Sequence, residues 1–147
     1  MYRRILVALD GSPVSQRALR EAKRLAAAGK AQLRLLHVLD AFALTLRMQS
    51  SGTPDRAYAL ERAAAQARVD RANAAAKAAG LKASGRVVEN FSQRIADLIL
   101  REAKDWRADL LVLGTHGRRG LSRLVLGSDA EQVVRQASVP VLMVRGR

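Results

Sequence analysis

Five short runs with strand character punctuate this chain, at residues 4–9, 33–38, 83–89, 109–113 and 139–144. Between them lie stretches whose apolar residues recur at helical spacing instead of alternating. Few folds admit that rhythm. Each strand–helix–strand step makes a right-handed βαβ unit, and a succession of such units builds a mostly parallel sheet with helices on its faces. The expected fold class is therefore α/β, a five-stranded mostly parallel open sheet flanked by helices. The 147 residues form a single domain, 1–147, long enough to bury one sizeable core.

The connecting segments carry their own signals. After the first run, Asp10-Gly11-Ser12-Pro13 reads as a turn into a helix, with Ser12 as cap and Pro13 at the first helical position. Val14, Ala18, Ala22, Leu25 and Ala26 give that helix an inner stripe, and it stops near Gly29. Residues 39–54 lose all periodicity and read as a long loop, ending in Ser50-Ser51-Gly52-Thr53-Pro54. An alanine-rich helix over 55–79 follows, with Tyr58, Ala65, Val69, Ala72 and Ala76 inward, and it stops at Gly80. Ser92 is expected to cap a helix that buries Ile95, Leu98, Ile99 and Ala103, with Trp106 closing the layer. A last helix covers 129–137. Pro140 cannot donate to a ladder, which puts the final strand at a sheet edge or margin.

Charge is the unusual quantity, +13 at neutral pH. It permits nucleic-acid or anionic-membrane partners. Lys and Arg are nevertheless spread evenly, 9 in residues 1–50, 8 in 51–100 and 9 in 101–147, which reads as a dispersed basic surface. Five aromatic residues poorly supply a base-stacking platform, so nucleic acid is not the expected partner. The chain has no cysteine, hence no disulfide framework or thiolate metal site. Two histidines, His37 and His116, fall short of a zinc ligand set. No segment is long and apolar enough for a signal peptide core or a membrane span. A cytoplasmic location is expected.

The chemistry concentrates near the C-terminus. Strand 109–113 runs straight into Gly114-Thr115-His116-Gly117-Arg118-Arg119-Gly120, and Gly127-Ser128 then opens the last helix. Glycines let backbone N–H groups curl around an anion. A helix N-terminus adds further donors and partial positive charge. Arg118, Arg119 and Arg123 are candidate phosphate partners. In parallel sheets ligands bind beyond the strands' carboxyl ends, where strand order reverses. Asp10, Val38 and Gly114 all fall at such ends.

Each feature has a plainer reading. Gly114 and Gly117 fit a tight turn with no ligand. Ser128-Asp129-Ala130-Glu131 matches a capping box, in which serine and glutamate serve the helix alone. Asp10 suits a turn in which a carboxylate binds its own backbone. Asp129 would repel a triphosphate unless a cation or arginine intervenes. Asp10, Ser12 and His116 invite a catalytic triad, but no G-x-S-x-G elbow presents the serine. Neither GxxxxGK[ST] nor a GxGxxG after the first strand is present.

Gly114, Gly117 and Gly127-Ser128, spaced G-x2-G-x9-G-[ST], resemble the ATP-binding branch of the universal stress protein family. So do the opening Ile5-Leu6-Val7-Ala8-Leu9-Asp10-Gly11-Ser12, the His37-Val38 strand end and the closing Val139-Pro140-Val141-Leu142-Met143-Val144. The resemblance spans nearly the whole chain. It implies an adenine nucleotide alpha-hydrolase-like, Rossmann-like sheet in the order 3-2-1-4-5, with bound ATP and possible magnesium as cofactors. Nucleotide-binding positions would be Ala8, Leu9, Asp10, Val38, Leu113, Gly114, Thr115, His116, Gly117, Arg118, Gly127, Ser128, Asp129 and Ala130. Asp10 would lie near the ribose or magnesium, and Val38 would offer main-chain bonds to adenine. Gly114 to Arg118 would wrap the sugar and phosphates, and Gly127 to Ala130 would hold the triphosphate. A homodimer through the last strand, residues 141–144, is implied as well. No residue is identified as catalytic. The expectation is a stress-response regulator or nucleotide sensor. The alternatives are a nucleotide-free interaction module of the same fold and a basic nucleic-acid-binding protein.

Overall fold

Apolar residues alternate along β1 (Arg4–Leu9), and this alternation sorts the core into two layers. Ile5, Val7 and Leu9 face one way, while Leu6 and Ala8 face the other. The computed structural model describes residues 1–48, 54–115 and 126–146. After β1 come α1 (Pro13–Gly29), β2 (Gln32–Asp40), α2 (Ala41–Met48), α3 (Pro54–Ala78) and β3 (Ala83–Asn90). They are followed by α4 (Ile95–Asp105), β4 (Leu110–Gly114), α5 (Ser128–Gln136) and β5 (Val141–Val144). The five strands form one sheet in the order β3-β2-β1-β4-β5, and every pairing is parallel. The order reverses at β1, so a crevice lies beyond the carboxyl ends of β1 and β4.

α1 and α3 cover one face of the sheet. Their Ala18, Leu19, Ala22, Ala26, Val69 and Ala76 pack on Ile5, Val7, Leu33, Leu35 and Val112. α4 and α5 cover the other, where Ala96, Ile99, Ala103 and Val133 meet Leu6, Leu36, Leu111 and Leu113. At the amino end the Asp109 carboxylate accepts from the N–H groups of Arg3 (2.7 Å) and Arg4 (2.9 Å), tying β1 to the start of β4. Glu102, buried on α4, receives Arg34 from β2 at 2.8 Å and Arg86 from β3 at 3.0 Å. The Arg34 guanidinium also lies 4.8 Å from the Trp106 ring centroid. Trp106 thus closes its layer partly through a cation–π contact.

The structure corrects several sequence expectations. Residues 39–54 are not all loop: β2 runs on to Asp40, and α2 follows at once. The Asp40 carboxylate accepts from Ala43 N–H (3.2 Å), and Leu44 packs on Leu39 and Ala65. That tertiary contact, not internal periodicity, supports so short a helix. Pro54 opens α3 instead of closing the loop, and residues 49–53 lie outside the described residues. Ser92 does not cap α4. Arg94 is its N-cap with no side-chain bond, and Asn90 holds the preceding turn by accepting from Gln93 N–H at 2.8 Å. β5 begins at Val141, and Pro140 lends only its carbonyl, to Leu111 N–H at 3.0 Å. The strand does lie at the sheet edge, as proline requires.

Three helices stop alike, through a six-to-one backbone bond around a left-handed residue. Ala31, Leu81 and Ala108 donate to Ala26, Ala76 and Ala103 respectively. Only α3 uses the expected glycine, Gly80 at φ 80°. In α1 the left-handed residue is Lys30 (φ 51°), one past Gly29, and in α4 it is Arg107 (φ 55°).

Candidate functional site

The first wall of the crevice is the turn from β1 into α1. Gly11 takes φ 81°, a conformation that a side chain would strain. This lets the Asp10 Oδ1 accept from Ser12 N–H at 2.8 Å. Ser12 Oγ caps α1 by accepting from Ser15 N–H at 3.1 Å, and Ser15 Oγ–H returns to the Ser12 carbonyl at 2.9 Å. Both serines are buried. Asp10 therefore does bind its own backbone through Oδ1, and among the described residues its second carboxylate oxygen has no such partner. Val38 is level with this turn on β2, and the neighbouring register pairs Leu9 with His37.

The second wall is the end of β4. A Cβ on Gly114 would meet Val14 Cγ1 at 2.8 Å, the Val14 carbonyl carbon at 3.2 Å and Ser15 N at 3.3 Å. Glycine is thus needed here by the approach of α1, whatever else the loop does. Thr115, buried, donates its N–H to the Val144 carbonyl (2.9 Å) and accepts Gly127 N–H on its own carbonyl (2.8 Å). That last bond brings the two ends of the glycine loop together and sets the start of α5 beside the carboxyl end of β4.

Gly127 is the N-cap of α5, and a glycine has no side chain with which to cap it. The expected capping box is therefore absent: Ser128 is the first residue of the helix, one position too late to cap it. Gly127 also accepts Glu131 N–H on its carbonyl at 2.9 Å. The first-turn N–H groups of any helix lack intrahelical acceptors. Here those of Ser128, Asp129 and Ala130 lie where the loop closes. Asp129 and Glu131 occupy the same first turn, where acidic residues complement the helix dipole. Glu131 is engaged by Arg135 at 2.8 Å.

Of the sequence-predicted positions, the structure places Ala8, Leu9 and Asp10 at the end of β1, with Val38 level with them on β2, two residues before that strand ends at Asp40. It places Leu113, Gly114 and Thr115 at the end of β4, with Gly127, Ser128, Asp129 and Ala130 at the opening of α5. His116, Gly117, Arg118, Arg119 and Arg123 lie outside the described residues. Sequence reasoning missed Val14 and Ser15, which shape the turn from behind. The only signal was their place directly after a Ser-Pro cap. Among the described residues no cluster of three metal-ligating side chains occurs, and no helix is long and apolar enough to cross a membrane. A cavity of about 360 Å³ lies elsewhere, between α4 and α5, lined by Leu100, Ala103, Lys104, Arg107, Leu111 and Val139.

Parallel topology, a strand-order reversal and a helix N-terminus opened by glycine at that reversal define a wound α/β domain of the kind that takes ligands at its carboxyl edge. The chain belongs to the universal stress protein family, whose sequence model matches residues 1–145. A universal stress protein of Thermus aquaticus is 35% identical over 145 residues, covering 99% of this chain and all of the relative. A solved family structure from Burkholderia pseudomallei is 33% identical with TM-score 0.77, covering 97% of this chain and 96% of that one. Another universal stress protein, solved in complex with cAMP, is 29% identical with TM-score 0.66, covering 98% and 97%.

Proposed function

We propose that the crevice binds an adenine nucleotide, ATP in particular, and that its occupancy makes the chain a stress-linked regulator or sensor rather than an enzyme. One observation carries this reading: the glycine-capped start of α5 is held against the end of β4 by the Gly127-to-Thr115 bond. First-turn donors that have no acceptor within their own helix, set at a switch point, suit a phosphate. The cAMP complex of a similar protein supports the choice of an adenine nucleotide.

In this reading Ser128, Asp129 and Ala130 take the phosphates on their N–H groups, and Val38 offers its main chain to adenine. Asp10 faces the ribose, with Ala8, Leu9, Leu113 and Thr115 forming the backbone floor. His116, Gly117, Arg118, Arg119 and Arg123 supply the outer wrap and charge. Magnesium fits as a companion of the phosphates: among the described residues of the β1 turn the second Asp10 oxygen would be its one protein ligand, with phosphate and water oxygens supplying the rest, as this ion prefers. Asp129 makes that cation, or an arginine, a condition of tight binding. In this reading any hydrolysis is slow and incidental to binding. β5 is an edge strand with half-buried residues throughout. Pairing of residues 141–144 with a second copy would cover it, giving a homodimer in the cytoplasm.

A nucleotide-free module is the second reading, and one fact favours it: packing against Val14 already accounts for Gly114. Titration calorimetry with Mg-ATP decides between them. The nucleotide reading predicts one saturable site per chain, a raised Tm by mass action, and weakened binding in Gly127→Val. Absence of heat with an unchanged Tm overturns it.

A further inference from the structure

The positive charge is even along the sequence, yet the fold sorts it. α1 and α3, which share one face of the sheet, together carry nine Lys and Arg against four Asp and Glu. α4 and α5, on the opposite face, carry three against five. Few of the first group are neutralised. Arg24 pairs with Glu21, Arg68 with Glu61 and Arg62 with Glu89. Arg20, Arg56, Arg71 and Lys77 are exposed and form no ion pair among the described residues.

The rest of that face narrows the partner. α1 contributes no exposed large apolar side chain, and α3 contributes only Leu60. A membrane-surface helix needs an apolar side to insert. A single-strand site needs several exposed aromatics to stack successive bases; Tyr58 on α3 is half-buried, and Phe42 on the neighbouring α2 is a lone exposed ring. What remains is a broad cationic surface about 25 Å long along α1, matched in sign to a duplex that carries one charge per roughly 1.7 Å.

We propose that the α1–α3 face is a sequence-independent docking surface for the phosphodiester backbone of a nucleic-acid duplex. It is separate from the crevice and independent of nucleotide binding there. The test compares two double charge reversals with the same change in net charge. Arg20→Glu/Arg71→Glu alters this face, and Arg101→Glu/Lys104→Glu alters the outer side of α4. Binding of a short fluorescent DNA duplex is followed by anisotropy across a salt series. Circular dichroism checks folding, and Mg-ATP calorimetry is run on both variants. The wild type is expected to lose affinity steeply with salt. The α1–α3 variant should have a shallower salt slope by roughly 1.8, about 0.9 for each lost phosphate contact, and at low salt an affinity roughly tenfold weaker or more. The α4 variant should stay within about threefold of wild type, since its reversals lie away from the phosphates. Equal losses in both variants overturn the proposal, because net charge alone would then explain binding. Binding to phosphatidylserine vesicles in preference to duplex at matched salt overturns it too.

Discussion

Substituting Gly114 by alanine probes the joint on which the crevice depends. The φ of Gly114 is not in the left-handed range, so backbone conformation alone would accept a side chain, and the cost is purely one of space. The new Cβ would lie 2.8 Å from Val14 Cγ1, with two backbone atoms of α1 at 3.2 and 3.3 Å. Val14 is β-branched and stiff in a helix, so it cannot simply swing aside. Overpacking of this kind costs about 1–3 kcal/mol. For a domain of this length that lowers Tm by about 2–4 °C per kcal/mol, measurable by calorimetry or urea melts. Val14→Ala removes the nearest contact and leaves the two backbone ones. The double variant should therefore lose less stability than the sum of the singles, by roughly 0.5 kcal/mol or more. Additive losses, or a Gly114→Ala protein as stable as wild type, would refute the packing argument. Mg-ATP affinity separates the two roles of the glycine. If packing is all, affinity returns in the double variant along with stability.

Three other changes have definite signs. Lys30→Gly relieves a left-handed lysine, which costs about 1–2 kcal/mol, while glycine gives back about 0.5–1 through backbone entropy. A small gain is expected, and a lower Tm would contradict the helix-end assignment. Glu102→Gln leaves the Arg34 and Arg86 guanidinium groups without their shared carboxylate. A loss of about 2–3 kcal/mol in urea melts is expected, below the 3–5 of a wholly buried pair because Arg86 is largely exposed. Burial, then the nearby Glu89 carboxylate, push Tyr58 from 10.0 up to about 12. A raised folded pKa gives stability that is complete below pH 10 and drains away as pH rises toward 12. Tyr58→Phe should flatten that alkaline limb. It should cost little at neutral pH, because among the described residues the buried hydroxyl has no hydrogen-bond partner of proper geometry. An unchanged alkaline limb in Tyr58→Phe would show that another group governs it.

The strands were legible because burial on both faces leaves dense apolar runs, and residues 4–9 coincide with β1. Pro140 correctly marked an edge strand, since a missing N–H has few tolerable positions in a sheet. The Ser12-Pro13 cap was readable for the same local reason. α2 was not, because it rests on Leu44 packing beneath residues distant in sequence, and periodicity in eight residues is too short to register. Ser128 misled through a motif that fits its sequence but is one position out of phase with the helix. Gly127 took the cap, and this removed the competing explanation for the first turn of α5. The even spread of Lys and Arg suggested a dispersed surface, since only the sheet topology brings α1 and α3 to one side. At Gly114 the sequence signal was sound but ambiguous, because a ligand loop and a close helix approach both call for glycine.

The central claim is that backbone donors at the opening of α5 hold the phosphates of an adenine nucleotide. Amide nitrogen–proton NMR spectra of labelled protein during Mg-ATP addition test it most directly. Saturable shifts should appear at Ser128, Asp129 and Ala130, together with Asp10, Val38 and Thr115, and should plateau at one nucleotide per chain. Silence at those six amides at saturating nucleotide, or shifts confined to Lys104, Arg107 and Val139 at the opposite cavity, would contradict it.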